Sequence, residues 1–115
     1  SVTLKKRRQG EIMNDLNSCL LEGTLKSRTE TEFYTDFIID VVRHNLAENG
    51  ELVEVHAEIP CRIIPGSMRD VFKKYATINN GVRVVGHLSG TPGKIVLVAE
   101  HIEYRLHKKA EKKEA

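Results

Sequence analysis

The sequence predicts an all-β domain, a small closed barrel of five strands with one helix between the third and the fourth. Three observations carry this expectation. Two strand-like segments, residues 17–25 and 81–88, each hold a glycine in their interior, Gly23 and Gly86. Glycine inside a strand weakens pairing and marks a bulge, a barrel corner or a close backbone approach. Five segments read as strands, and a single stretch, just before the fourth of them, has helical spacing. Finally, Asn49-Gly50 and Pro92-Gly93 sit between strand pairs as short turns. Antiparallel strands joined by tight hairpins suit a barrel and not a doubly wound sheet.

The elements follow in order. Residues 1–12 are polar and basic and form an arm; residues 13–106 form the domain; residues 107–115 are a charged tail without apolar periodicity. The first strand spans 18–25 and is followed by a polar stretch, 26–32. The second spans 33–44, and its run from Asp36 to Arg43 is β-branched and lacks helix formers. A turn over 45–50 closes a hairpin to the third strand, 51–61. There Val53, Val55, Ala57, Ile59 and Cys61 fall on one face, expected in the core, and Glu54, His56 and Glu58 on the wet one. Pro65-Gly66-Ser67 then opens the helix, with Ser67 as N-cap, Asp70 three residues on, and Met68, Val71, Phe72 and Tyr75 at helical spacing. Asn79-Asn80-Gly81 ends it. Strand four spans 82–88, residues 90–93 form a tight connection, and strand five spans 94–105. A five-stranded barrel with its helix between strands three and four is the oligonucleotide/oligosaccharide-binding (OB) architecture.

Composition narrows the class. At 115 residues and 40% hydrophobic, the chain suits one domain with one core. No apolar run approaches the roughly 20 residues that cross a bilayer, and none resembles a signal peptide, so a soluble protein is expected. Ser1 in place of Met fits a processed start. Cys19 and Cys61 lie in apolar strand patterns away from any CxxC spacing. They are expected as structural thiols in a reducing cytoplasm, with a disulfide as the alternative. The net charge of +2 is unevenly spread: residues 1–8 carry +4, residues 107–115 carry +2, and the remainder carries −4. Any polyanion-binding surface has to be found on a mildly acidic body.

No catalytic constellation is present. His44, His56, His87, His101 and His107 lack HxxxH or HExxH spacing, and no GxGxxG, Walker or nucleophile-elbow motif occurs. His101 and Glu103 share a strand face, which reads as a polar cluster before it reads as a metal pair. The expectation is a protein that is not an enzyme and needs no cofactor or metal.

The ordered segments resemble the single-stranded DNA-binding protein family of bacteria and mitochondria, over residues 16–106. The resemblance rests on an Asn, an apolar run, a Gly and a Leu (Asn17 to Leu25), and on Val55-His56 before an apolar run. A helix ending in Tyr75 follows, then Gly81-Val-Arg-Val-Val-Gly-His-Leu88 and the closing run Val96 to Tyr104. It implies an OB-fold homo-oligomer, a homodimer or homotetramer, that binds single-stranded DNA, possible contacts with replication or repair proteins, and His56 as an oligomer contact. The chain also departs from the family. It has no Trp; Val55 and Cys61 stand where stacking aromatics are expected; the hairpin at 89–94 is short; and the acidic, Phe-terminated tail is replaced by Lys112-Lys-Glu-Ala115. Base stacking is worth roughly 1–3 kcal/mol per base, so this surface is depleted.

Phe33 and Tyr34 are the aromatics expected at the surface and able to stack on bases; the alternative is that one of them plugs a barrel end. Lys26, Arg28, Arg43, Arg62, Arg83 and Lys94 are the cations that can meet phosphates, or else a solvated surface. Arg83 and His87 share a face with Val85 and can together line a groove. Lys5, Lys6, Arg7 and Arg8 form an arm that can wrap phosphates or serve solubility. Two functions follow. The first is single-stranded nucleic-acid binding, DNA before RNA, in replication, recombination or repair, in a cytoplasm at the nucleoid or, as second choice, in a mitochondrion. The second is a protein-interaction module of a nucleoprotein assembly that has lost strong binding to single strands.

Overall fold

A computed structural model describes residues 14–105. The arm cations Lys5, Lys6, Arg7 and Arg8 and the tail at 107–115 lie outside the described residues. The elements are β1 (Cys19–Glu30), β2 (Thr35–Leu46), β3 (Leu52–Ile63), α1 (Ser67–Tyr75), β4 (Gly81–Thr91) and β5 (Lys94–Arg105). The strands close in the order β1-β2-β3-β5-β4, all pairs antiparallel except β3 with β5. This is the expected OB barrel, with its helix between β3 and β4.

The strands run longer than the residue pattern predicts. Residues 26–30 continue β1 instead of forming a loop, because β2 takes up their backbone groups as far as Glu30 opposite Thr35. A bulge between Leu25 and Ser27 resets the alternation. Ser27 and Thr29 are exposed beyond it, whereas Leu25 is buried. Polar residues with one wet face are ordinary in such a strand. The connection to β2 therefore shrinks to residues 31–34, closed by the Thr31 amide donating to the Tyr34 carbonyl at 2.8 Å. Phe33 and Tyr34 belong to this turn, ahead of β2.

The core is made by Leu25, Phe37, Ile39, Cys61, Ile63 and Val84 from the strands, capped by Phe72 of α1. The Phe72 ring stands 4.8 Å from that of Phe37 and 6.3 Å from that of Tyr104. Tyr75, at the end of the helix, is 55% exposed and packs with its ring centre 6.1 Å from that of Tyr104. The helix cap also differs. Gly66 is the N-cap, at φ 151°, and no side chain caps the end; Ser67 is the first helical residue. The Cys61 thiol is free and buried, which pushes its pKa up to about 12, while Cys19 is free and half-buried.

The outer half of β3 corrects a second expectation. Val53, Val55 and Ala57 are exposed, and of the five residues assigned to the core face only Cys61 is fully buried. The alternation is real, since each side chain shares its face with a partner on β2 (Asn45, Arg43 and Val41). However, β1 pairs with β2 only as far as Asp40. Beyond that point the β2–β3 hairpin runs on as a two-stranded ribbon, and among the described residues nothing stands opposite the face that would be interior.

The interior glycines mark close approaches, as expected. A Cβ on Gly23 would overlap the Asp40 carbonyl and come within 2.7 Å of Ile39 Cγ2, at the last β1–β2 pair. A Cβ on Gly86 would overlap the Val98 carbonyl, where a bulge follows Val85. At the β1 bulge the connection after α1 bonds the strand: the Leu25 amide donates to the Asn80 carbonyl at 2.9 Å and the Asn79 amide to the Leu25 carbonyl at 2.8 Å. A Cβ on Gly81, by contrast, meets its nearest neighbour at 3.4 Å, an ordinary contact. Gly23→Ala should thus lower the free energy of urea unfolding by about 1–3 kcal/mol, as overpacking does, whereas Gly81→Ala should change it by less than about 0.5 kcal/mol.

Candidate nucleic-acid interface

Past the β3–β5 contact the two hairpins diverge, and a groove opens between them. Alternation puts Thr29 of β1, Asp36 of β2 and Arg62 of β3 in one cross-strand row, with Ser27, Ile38 and Pro60 in the next. All of these except Arg62 line a cavity of about 280 Å³, together with Phe37, Cys61 and, on the far side, Val96 of β5. A second cavity, of about 440 Å³, continues from it; both share Pro60 and Val96. Its other walls are Arg62 and the β4–β5 hairpin, through Ser89, Gly90, Lys94 and Ile95. The result is a trough across the sheet with an apolar floor and cations at the hairpin end.

Arg62 sits at the junction. Its Nε donates to Asp36 Oδ1 at 2.9 Å and Nη2 to Oδ2 at 3.2 Å. This hydrogen bond raises the Arg62 pKa above its ordinary value. The guanidinium also lies over the Tyr34 ring, 4.2 Å from its centroid, in a cation–π contact. The fork uses two of the five N–H donors a guanidinium carries. Tyr34 is 37% exposed and Phe33 63% exposed, so neither plugs the barrel.

The turn that carries them is held by a residue the sequence pattern did not single out. Arg69 of α1 donates through Nε to Thr35 Oγ1 at 3.0 Å, through Nη1 to the Glu32 carbonyl at 3.3 Å, and through Nη2 to the Thr31 carbonyl. No motif announces a side chain that acts on backbone carbonyls 37 and 38 residues away. Ser27, Thr29, Asp36, Ile38, Pro60, Ile95 and Val96 were also passed over. An apolar Ile38 between Asp36 and Asp40 on a wet strand face is the signal that was available.

The predicted cations do not form one patch. Arg62 and Lys94 line the groove, and Lys26 is exposed at the β1 bulge near it. Arg43 is exposed on the projecting ribbon, opposite Val55. Arg28 turns the other way: its Nη1 donates to the Ala76 carbonyl at 3.0 Å, its guanidinium lies 4.9 Å from the Phe72 centroid, and it pairs with Glu30. That hydrogen bond holds Glu30 below its ordinary carboxylate value. Arg83 lies between Glu22 at 3.5 Å and Glu103 at 3.4 Å, and His87 Nδ1 meets Glu100 at 2.6 Å. Arg83 and His87 do share a face, as expected, but both are paired with carboxylates and neither lines the two cavities. His101 Nε2 meets Glu103 at 3.3 Å. Among the described residues no three ligands gather for a metal, and no helix is long and apolar enough to cross a membrane.

Of the carboxylates among the described residues, only Asp36 lines the groove. Glu22, Glu100 and Glu103 lie on the β1–β4–β5 face and Glu54 on the ribbon, while Glu58, opposite Asp40, stands in the cross-strand row next to Ile38 and Pro60. The groove itself holds one carboxylate, Asp36, already paired. His56, half exposed, bonds Asp40 through Nδ1 at 2.8 Å and Glu54 through Nε2 at 2.8 Å. The Asp40 bond, then that to Glu54, raises its pKa above the ordinary 6.5.

No family model matches this chain, and no curated protein does. Solved structures resemble it. An SSB of Plasmodium falciparum, solved in complex with ssDNA, superposes with a TM-score of 0.67 at 14% identity, covering 82% of this chain and 98% of its own. PriB of Ralstonia solanacearum gives 0.64 at 15% identity, covering 80% of this chain and all of its own. The N-terminal domain of PriB from Thermoanaerobacter tencongensis, solved as a dimer, gives 0.53 at 17% identity, covering 79% and 98%. At these identities the likeness is one of fold: the chain has the OB barrel found in SSB and PriB structures.

Because the folded-state pKa of His56 is raised, the stability its ion pairs contribute is full below pH 6.5 and is lost as the pH climbs through the raised value. Ring-proton NMR should place the His56 midpoint above 6.5, and Asp40→Asn should bring it down. The stability gap between wild type and His56→Gln should close at alkaline pH.

Proposed function

We propose that the chain is a non-catalytic single-stranded DNA-binding protein that serves replication, recombination or repair at a nucleoid or on mitochondrial DNA. The observation that carries the reading is the groove between the diverging hairpins. It has an apolar floor at Ile38, Pro60 and Val96, cations at Arg62 and Lys94, and a single carboxylate that is already paired. Such a trough takes an unpaired strand along its backbone charge while bases lie on the floor. Phe33 and Tyr34, on the turn braced by Arg69, supply the stacking surface, and Lys26 extends the track of cations. Arg43 and the arm residues Lys5, Lys6, Arg7 and Arg8 add phosphate contacts at either side. Arg28, Arg83 and His87 have no part in this reading, since their charges are engaged elsewhere. The same barrel in an SSB solved on ssDNA supports it.

The reading includes a homodimer. On its β4 side β1 is paired from Cys19 to Thr24, but β2 has left its other side beyond Thr24. Residues 19–23 thus present an open edge, flanked by Leu20 at 65% exposure; an open edge is a template for pairing with another chain. His56 stands close by, bonded to Asp40, the register partner of Thr24, which supports its place at an oligomer contact. One observation favours the second reading, a protein-interaction module: Leu46, Leu52, Val53 and Val55 leave apolar surface exposed on the ribbon.

Fluorescence anisotropy with labelled oligo-dT at several salt concentrations tests the main reading. With about three phosphate contacts in the groove, log K should fall against log salt with a slope near −2, and Arg62→Ala should flatten it by about 0.7. Removing residues 1–12 should weaken binding without abolishing it. Absence of binding at low salt would leave the interaction module, and an RNA competitor that wins would redirect the proposal to RNA. Analytical ultracentrifugation should give twice the monomer mass at micromolar concentration, and Leu20→Lys should yield monomers that melt like the wild type.

A further inference from the structure

We infer that the groove reads base identity through Asp36 and prefers cytosine to thymine; the inference rests on the single-strand-binding reading and deepens it. The 280 Å³ cavity is lined by Phe37, Ile38, Pro60, Cys61 and Val96, with Ser27 and Thr29 also in its lining. Hydroxyls serve as donor or acceptor as the ligand requires, so they discriminate little. Asp36 is different. It is the one charged residue in this lining and accepts hydrogen bonds only.

Its orientation is set. Arg62 grips both carboxylate oxygens from one side, Nε on Oδ1 at 2.9 Å and Nη2 on Oδ2 at 3.2 Å. Arg62 itself borders the second cavity and is absent from the lining of the first. A carboxylate offers about four lone-pair sites, and the fork takes one on each oxygen. What remains can accept from a ligand in the first cavity. The backbone brackets the position, because Asp36 pairs with Thr29 on one side and Arg62 on the other in continuous ladders.

A fixed acceptor beside an apolar floor sorts the pyrimidines. Cytosine presents its N4 amino group, the donor that Asp and Glu read on this base. Thymine carries the O4 acceptor at the same corner, and an oxygen brought against a carboxylate is repelled. The apolar floor gains one methyl from thymine, which is worth less than the cost of an acceptor set against the carboxylate. The polar corner decides. Since the Arg62–Asp36 pair lies between both cavities, a strand would place a phosphate at the Arg62 end and a base at the Asp36 end of one ion pair.

The test compares homopolymers of dC and dT of about 16 nucleotides, the upper end of an OB-fold site, by anisotropy at mildly alkaline pH, where cytosine is unprotonated. The expected result is dC bound about five-fold tighter than dT, the order of one net hydrogen bond. Asp36→Asn exchanges the acceptor for an amide and should erase or invert the ratio. Reading the ratio removes any gain from freeing Arg62, which acts on both strands alike. A dC strand bearing N4,N4-dimethylcytosine checks the contact on unaltered protein and should bind no better than dT. Equal binding of dC and dT, tighter dT, or a ratio unchanged in Asp36→Asn or with the dimethylated strand would overturn the base-reading inference while single-strand binding stands. Failure of both strands to bind at low salt would overturn both.

Discussion

The seam between β3 and β5, where Cys61 faces Leu97 and Arg62 faces Val98, is the contact on which the rest of the molecule depends. It is the one parallel pairing among the described strands, and it closes the barrel by joining the β2–β3 and β4–β5 hairpins, which β1 already links on the other side. The seam is short, and it uses the strand edges that the β2–β3 and β4–β5 pairings leave free. Inside the seam lies the core under Phe72. Outside it the hairpins must part, and their parting makes the groove. A longer seam would close the barrel over Pro60 and Val96 and leave no trough.

Closure requires sharp bending, and two glycines permit it. Gly23 lies where β1 and β2 approach most closely before separating, and Gly86 where β4 bends over β5 at its bulge. A side chain at either point would collide with a backbone carbonyl, a group with no freedom to move aside. The bending has two results. It gives β1 an open edge beyond Thr24, and it frees the β2–β3 hairpin to project as a ribbon with apolar side chains on show. Edge and ribbon are surfaces that a solitary barrel would not need.

Charge placement follows from the same geometry. The body is acidic, yet many of its carboxylates are already engaged: Glu22 and Glu103 hold Arg83, and Glu54 and Asp40 hold His56. The groove carries Arg62 and Lys94 against one paired Asp36. A mildly negative protein can thus present a strand with a locally positive, largely apolar path. The pair at its centre is exposed enough to contribute little to stability. Its interest lies in geometry: the fork is engaged on Asp36, which leaves the other Arg62 donors at one cavity and the remaining carboxylate lone pairs at the next.

Much of the architecture was readable in the residues themselves. Alternation located five strands, helical spacing located α1, Asn-Gly and Pro-Gly located the hairpins, and the interior glycines announced a barrel, because backbone preference and period are local properties. Their limits were not local. Residues 26–30 looked like a loop until β2 supplied backbone partners, and Val53 and Val55 looked buried until β1 proved to end its pairing at Asp40. The site was harder still. Phe33, Tyr34, Arg62 and Lys94 were named from residue type, but so were Arg28, Arg83 and His87, and nothing in the order of residues tells a cation facing a groove from one facing a glutamate 61 residues away. The amino-acid order alone settled which segments are strands and that they curl. Only the tertiary fold settled which faces are covered and which charges are neutralised, because both depend on partners far apart in the chain that meet only once the barrel has closed.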